Sequence, residues 1–225
     1  MKCFFTGESA INLRTTNMDS FFAEQRRIGG KDALLAVVCD GVGSTADGAF
    51  ASAYATQSLE NWFYAQTDAQ HVVQTFGEQV RRINWEIICH AQAQGLETAS
   101  TLSTLLLLEE QYHIVHTGDS RIYCVRESGL IQLTQDDLTA DGKLRQYLGL
   151  AEGLQLQCTH GPIERGCFLL CTDGFYKRMP QELLLQVLRV KKRAEMEELL
   201  AQMIQTICQR GERDNITAVL IKTKG

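Results

Sequence analysis

The stretch Thr101–Thr117, TLSTLLLLEEQYHIVHT, decides the fold. It reads as two short strands, Thr101–Leu108 and Tyr112–Thr117, joined by the polar residues Glu109–Gln111, the pattern of a hairpin. The run of leucines has no polar alternation, so this strand is expected to be covered on both faces. Arg121–Arg126 and Leu130–Leu133 flank Ser128–Gly129, a second hairpin signal. Ala33–Cys39 (ALLAVVC), Cys167–Cys171 (CFLLC) and Asn215–Lys222 complete the strand set.

Helical periodicity marks the remaining long segments. Ala46–Phe63 gathers apolar residues near one face. His71–Gln94 repeats Val72, Phe76, Val80, Ile83, Ile87 and Ala91 at steps of three or four. Near the end of the chain, Pro180–Val187 opens with a proline suited to a first helical turn, and Ala194–Cys208 follows. Hairpin strands and paired helices differ from the alternation of a parallel βαβ sheet. They predict an α+β fold of antiparallel sheets with helices on their outer faces.

The chain has 225 residues, two prolines and no low-complexity linker, which fits a single domain over 1–225. A net charge of −5 argues against nucleic acid as a partner, because that role needs a basic face. The short basic runs Arg26–Arg27 and Lys191–Arg193 read as solvated surface. None of the eight cysteines forms a C-x-x-C pair, and most lie in apolar runs, so buried free thiols in a reducing compartment are expected. MKCFFTGES is too short in apolar length for a signal peptide, and no stretch approaches the ~20 apolar residues of a membrane span. These features predict a cytoplasmic protein with no membrane partner.

The chemistry lies in where the aspartates fall. Asp40 ends ALLAVVC, Asp119 follows YHIVHT, Asp173 follows CFLLCT, Asp214 precedes NITAVLI, and Asp19 precedes the apolar run Phe21–Ala23. A carboxylate near a buried strand end is costly unless paired or bound to metal. Five in such places suggest a shared site for Mg²⁺ or Mn²⁺, which prefer hard oxygen ligands; zinc would want Cys or His spacing. Against this stands the common role of Asp-Gly as a tight turn. The dipeptide occurs at Asp40–Gly41, Asp47–Gly48, Asp141–Gly142 and Asp173–Gly174, and Asp47 and Asp141 are read as helix-start or turn residues.

The ordered set RTTNMDSFF (Arg14–Phe22), VCDGVGSTADGAFAS (Val38–Ser52), ASTLSTLLLL (Ala99–Leu108), HTGDSRIY (His116–Tyr123), LTQDD (Leu133–Asp137), LLCTDGFY (Leu169–Tyr176) and RDNITAVLI (Arg213–Ile221) resembles the metal-dependent protein phosphatase family of type 2C in its compact bacterial form. The resemblance spans nearly the whole chain and is specific as a set. It implies a four-layer α-β-β-α sandwich. It implies hydrolysis of phosphoserine and phosphothreonine on proteins by a metal-activated water, in opposition to a bacterial Ser/Thr kinase. It also implies roles. Asp40 bridges two Mn²⁺ or Mg²⁺ ions, with the Gly41 carbonyl as a further ligand; Asp173 and Asp214 hold the first metal; Asp19 partners metal-bound water; Asp119 and Asp173 share a weaker third metal; Arg14 grips the phosphate. The partners it implies are a phosphorylated protein substrate and a cognate kinase, and the protein is expected to be a monomer.

Departures from the family pattern shape the remaining expectations. Met18 stands where Glu or Gln is usual, and Gly43–Ser44 replaces a double glycine. Val42 replaces the histidine that some members use to protonate the leaving group, so the general acid is left unassigned. His113 and His116 lie near in sequence, but a histidine on a strand more often serves the core or surface. The flap beside the site, about 134–147, is short, and Asp136 and Asp137 in it read as solvated loop charge. Two further readings compete: a phosphatase-like regulatory or binding protein with weak or no turnover, and a two-metal hydrolase of another phosphoester.

Overall fold

In a computed structural model, which describes residues 2–45, 47–164 and 166–224, ten strands among those residues form two antiparallel five-stranded sheets. One sheet runs β2 (Asp19–Ile28), β3 (Lys31–Asp40), β4 (Leu102–Leu108), β5 (Gln111–Thr117) and β8 (Gln157–Pro162) in spatial order. The other runs β1 (Lys2–Ala10), β10 (Ile216–Lys224), β9 (Cys167–Cys171), β6 (Arg121–Arg126) and β7 (Gly129–Gln132). The helices α1 (Gly48–Ala65) and α2 (Ala69–Gln94) cover the first sheet. The second is covered by α4 (Gln181–Gln186) and α5 (Arg193–Gln209); a single turn, α3 (Asp173–Tyr176), follows β9.

The apolar strands explain the layering. Along β4, Leu105 and Leu107 face the second sheet, whereas Leu102, Leu106 and Leu108 face α1 and α2. In β3, Leu34, Ala36 and Val38 point inward between the sheets, and Ala33, Leu35, Val37 and Cys39 point to the helices. On β9 and β10, Phe168, Leu170, Val219 and Ile221 enter the same inter-sheet layer, while Leu169, Ala218 and Leu220 pack under α5. Successive side chains of a strand alternate faces, so a strand buried on both sides needs apolar residues throughout. The four-layer α+β architecture predicted above is the one observed.

Three strands, β1, β2 and β8, carry no clear sequence signal, and all three lie at sheet edges. Edge strands face water on one side and lose the continuous apolar run; β8 reads QCTHGP. For β2 a turn signal did exist: Gly29–Gly30, both at positive φ, join it to β3 as a two-residue hairpin turn. The β4–β5 turn is tighter than the expected Glu109–Gln111 link: Glu109 and Glu110 alone form it, both at positive φ, and Glu109 pairs with Lys31. The helices match expectation within two residues at each end, with Asp68 accepting from Gln70 N at the start of α2 and Gly95 in the left-handed region at its end. The eight thiols are free; Cys39, Cys124, Cys167 and Cys171 are buried as expected, whereas Cys89 and Cys158 are exposed. No helix among the described residues is long and apolar enough to cross a membrane.

This layering predicts where truncation hurts. Leu106→Ala, in the layer under the helices, should cost about 2–5 kcal/mol of unfolding free energy in urea titrations, and Leu185→Ala on exposed α4 about 0.5 kcal/mol or less. Equal losses at the two sites would contradict the assignment of the layers.

Candidate active site

Both sheets end at the same edge of the sandwich, and the aspartates gather there. Asp19 at the start of β2 sits directly opposite Asp40 at the end of β3. Beyond the end of β9, the Thr172 hydroxyl donates to Asp19 Oδ2 across the two sheets at 3.0 Å. The same hydroxyl accepts from Thr217 N at 3.1 Å, and Thr172 N donates to Thr217 O at 3.1 Å, so β9 and β10 are locked where Asp173 and Asp214 emerge. The register Arg121↔Cys171, run on past the strand ends, brings Asp119 alongside Asp173. Asp40 N donates to Thr101 Oγ1 at 2.9 Å, and that oxygen pairs with Ser120 Oγ at 2.7 Å, tying Asp40 to the loop that carries Asp119.

Three of the Asp-Gly pairs, Asp40–Gly41, Asp47–Gly48 and Asp173–Gly174, place their glycine in a close approach of backbone rather than in a hairpin turn, Gly48 against Val42. A Cβ on Gly41 would run into the carbonyls of Gly48 and Met18. On Gly174 it would run into the carbonyl of Asn215. These glycines let three chain segments crowd together behind the carboxylates. Asp141–Gly142, by contrast, is a turn, with Gly142 at positive φ, and Asp47 precedes α1, as expected for both.

Like charges this close are costly. Burial, and then the charges of Asp19, Asp173, Asp119 and Asp214, push the Asp40 carboxyl well above the ordinary range. Burial also pushes Asp19 up to about 7, against hydrogen bonds from Thr217 and Thr172 and with the help of Asp173 and Asp214. Asp119 rises to about 6 through burial and the charge of Asp173. Asp214 goes the other way: burial pushes it up, but the Arg14 guanidinium and the Asn215 amide outweigh that and hold it below the usual range. Arg14 Nε and one terminal nitrogen reach the two Asp214 oxygens at 2.8 and 2.7 Å, and Lys177 Nζ reaches Asp173 Oδ2 at 2.5 Å.

Five carboxylates therefore face the cations of Arg14 and Lys177, an imbalance that divalent ions would relieve. Among the described residues, no three His, Cys, Asp or Glu side chains already close into a ready-made coordination shell. Hard cations that retain several waters need few direct protein ligands, so a converging but open carboxylate rim fits Mg²⁺ or Mn²⁺ and does not fit zinc.

Several contributors were not legible beforehand. Lys177, four residues past Asp173, pairs with it only because a single helical turn, unannounced by any periodicity, forms at Asp173–Tyr176. Asn215 accepts from Met18 N and donates to the carbonyls of Ile11 and Thr16, and Asn12 donates to the carbonyls of Glu212 and Asp214. Together they fold the Arg14 loop against Asp214. Met18, the departure from the family pattern, is tied here through its backbone: its carbonyl accepts from Gly41 N and the Ser52 hydroxyl. Asp136 and Asp137 are not solvated loop charges. Arg121 grips Asp136 at 2.6–3.2 Å while lying 3.7 Å from the Tyr176 ring, and Asp137 is buried against Arg145 and Gln157. Both ring nitrogens of buried His116 are engaged, by Ser103 Oγ and Gln135 O, and burial lowers its pKa, so it is structural. His113 faces His160 on the β5–β8 pair.

Comparison with known proteins agrees with this geometry. The family model described as Protein phosphatase 2C matches residues 6–221. A putative protein phosphatase of Mycoplasma genitalium is 27% identical over 254 residues, covering 97% of this chain and 94% of that one. The serine/threonine phosphatase stp of Listeria monocytogenes is 25% identical over 215 residues, 84% of each chain. The crystal structure of a Staphylococcus aureus serine/threonine phosphatase superposes with a TM-score of 0.84 at 20% identity, covering 100% of this chain and 95% of that one. The catalytic domain of the serine/threonine phosphatase PstP, solved with two manganese ions, superposes with a TM-score of 0.81 at 24% identity over 98% and 97%.

The crowding of carboxylates makes a direct prediction about the metal-free protein. Asp40→Asn removes a buried carboxyl whose ionised form is disfavoured there, and relief worth about 1.4 kcal/mol should raise the metal-free melting temperature by about 3–6 °C. The same substitution should abolish the further rise that Mn²⁺ gives the unsubstituted chain in a thermal melt. A variant that melts lower without metal and still responds to Mn²⁺ would contradict the electrostatic account. With the family model matched from the first strand to the last and a carboxylate-lined edge suited to divalent ions, the chain belongs to the metal-dependent protein phosphatase 2C family of serine/threonine phosphatases.

Proposed function

We propose that the edge formed by Asp19, Asp40, Gly41, Asp119, Asp173 and Asp214 is the metal-bearing catalytic centre and that Arg14 binds the substrate phosphate. The observation that carries this reading is the convergence of five carboxylates from both sheets on two cationic side chains. Asp40, the Gly41 carbonyl, Asp173 and Asp214 would hold two Mn²⁺ or Mg²⁺ ions, with Asp19 orienting a bound water and Asp119 joining Asp173 at a weaker third position. Bound there, the ions would supply the charge that activates water and neutralises phosphoryl oxygens.

The chain's own groups do the rest. Arg14 presents a planar fork, here engaged with the two oxygens of Asp214, and offers the same two donors to two oxygens of a phosphate. Its loop is anchored by Asn12 and Asn215, so the fork is pre-positioned rather than free. Thr172 and Thr217 hold Asp19 in place by donating to its carboxylate. A covalent phosphocysteine is not part of the scheme: burial pushes the Cys39 thiol beside Asp40 up to about 12, far from a usable thiolate. The general acid is unassigned. The segment 134–147, held by the Arg121–Asp136 pair, would act as a reduced flap of the single domain and leave the centre open to protein substrates. A cognate Ser/Thr kinase, a cytoplasmic location and a monomeric state complete the proposal.

The test is turnover. Purified protein with Mn²⁺ should hydrolyse a phosphothreonine peptide, stop with EDTA, and lose at least about 100-fold in kcat/KM as Asp173→Asn. No turnover at any Mn²⁺ concentration would favour the regulatory, non-catalytic reading. Arg14→Ala should lower kcat/KM about 10–100-fold, and Arg14→Lys should recover only part, because lysine lacks the fork. Full recovery by lysine would remove the bidentate role.

A further inference from the structure

A groove of about 880 Å³, lined by Val42 two residues after Asp40, opens between the end of α2 and the segment 143–152. Its floor is continuous with the catalytic edge. Gly41 pairs with Ser100, and Ser100 pairs with Leu148, so three chain segments lie side by side. Val42 N donates to Ala99 O at 2.9 Å, and Ser100 and Leu148 exchange backbone hydrogen bonds at 2.8 and 3.1 Å. The far wall is pinned by Asn84, which accepts from Gly149 N at 2.7 Å and donates to Leu150 O at 3.2 Å. Gly149 is required there: it has positive φ, and a Cβ on it would run into the carbonyl of Thr98. The groove is therefore a built feature of rigid parts.

Its lining is apolar and its rim is acidic. Ile88, Leu96, Leu144, Tyr147 and Leu150 form the walls, and Leu96 is left 43% exposed at the mouth. Glu97 and Glu152 stand exposed at the rim, with Lys143 as the basic residue there. Val42, Ser44 and Thr45, which follow the close approach at Gly41, line the same groove.

We infer that this groove receives the polypeptide beside the phosphoresidue of the substrate: an apolar side chain fills it, and a basic neighbour meets Glu97 and Glu152. The inference rests on the phosphatase reading of the adjacent edge. The groove begins at Val42, two residues after Asp40, and an extended peptide advances about 3.3 Å per residue, so a side chain a few positions from a phosphate lying over Asp40 is the one placed to enter it. The occupant is a substrate segment rather than a second copy of the chain because the groove is continuous with the catalytic edge, and a copy seated in it would sit at the entrance to that edge. Selectivity then comes from a pocket of the fold, since binding energy from parts of the substrate remote from the reacting phosphate lowers the barrier only if that segment is held.

The experiment compares phosphothreonine peptides that carry Leu, Ser or Asp at each position two to four residues to either side, with and without an adjacent Arg. p-Nitrophenyl phosphate, which has no flanking chain, is the reference substrate. At one position, Leu should exceed Ser by about 10-fold in kcat/KM and Asp should be worse than Ser. Leu96→Glu should bring the Leu-to-Ser ratio to about 1, and Glu97→Lys with Glu152→Lys should erase the gain from Arg. Equal turnover of all peptides by the unsubstituted chain would overturn the inference while p-nitrophenyl phosphate turnover left the phosphatase reading standing. A Leu preference that survives Leu96→Glu would overturn it as well, as would a dimer at assay concentration that Leu96→Glu dissociates. Absence of turnover on every substrate would sink the phosphatase reading itself and the groove's role with it.

Discussion

Burial of Asp19, Asp40 and Asp119, compounded by the charges of Asp173 and Asp214 beside them, is the constraint around which this end of the molecule is arranged. Left in water, such side chains would drift apart. Here the antiparallel pairing Asp19↔Asp40 fixes two of them by register, and the locked ends of β9 and β10 fix two more. Arg14 and Lys177 partly compensate, each by gripping one carboxylate at the rim. Both are more than half exposed at their side chains, so screening by solvent weakens the compensation, whereas the carboxylate pair at the floor lies deeper. The remaining excess of negative charge is what a small, highly charged cation is suited to neutralise.

The sandwich supplies the rigidity that holds this arrangement. Three apolar layers, one between the sheets and one beneath each helix pair, leave little room for the strand ends to splay. Polar groups near the edge are bonded to each other: Thr101 to Ser120, Ser103 to His116, Thr172 to Asp19 and Thr217. Such a network holds the direction of each carboxylate more tightly than packing alone. Gly41 and Gly174 complete it, since any side chain at either place would push apart the segments that carry the carboxylates.

The centre of each sheet was legible because a strand buried on both faces must be apolar at every position, as in Leu105–Leu108 and Cys167–Cys171. Three of the four edge strands were not, because β1, β2 and β8 mix polar with apolar residues and show no continuous apolar run. The aspartates were legible as a class, each standing where an apolar run stops. Their partners were not. Thr172, Asn215 and the Arg121–Asp136 pair act through neighbours far away in sequence, which no local pattern encodes, and the Asp173–Lys177 pair lies on a single helical turn too short to show a periodicity. Asp-Gly misled in part, since the same dipeptide serves as a turn at Asp141–Gly142 and as a close approach at Asp40–Gly41 and Asp173–Gly174.

Anomalous diffraction from crystals grown with Mn²⁺ tests the central claim most directly. Two strong peaks are expected at first-coordination distance, about 2.1–2.2 Å, from oxygens of Asp40, Asp173, Asp214 and the Gly41 carbonyl, with Arg14 released from Asp214. Peaks elsewhere on the surface, with Asp214 still gripped by Arg14 and Asp173 by Lys177, would contradict the account.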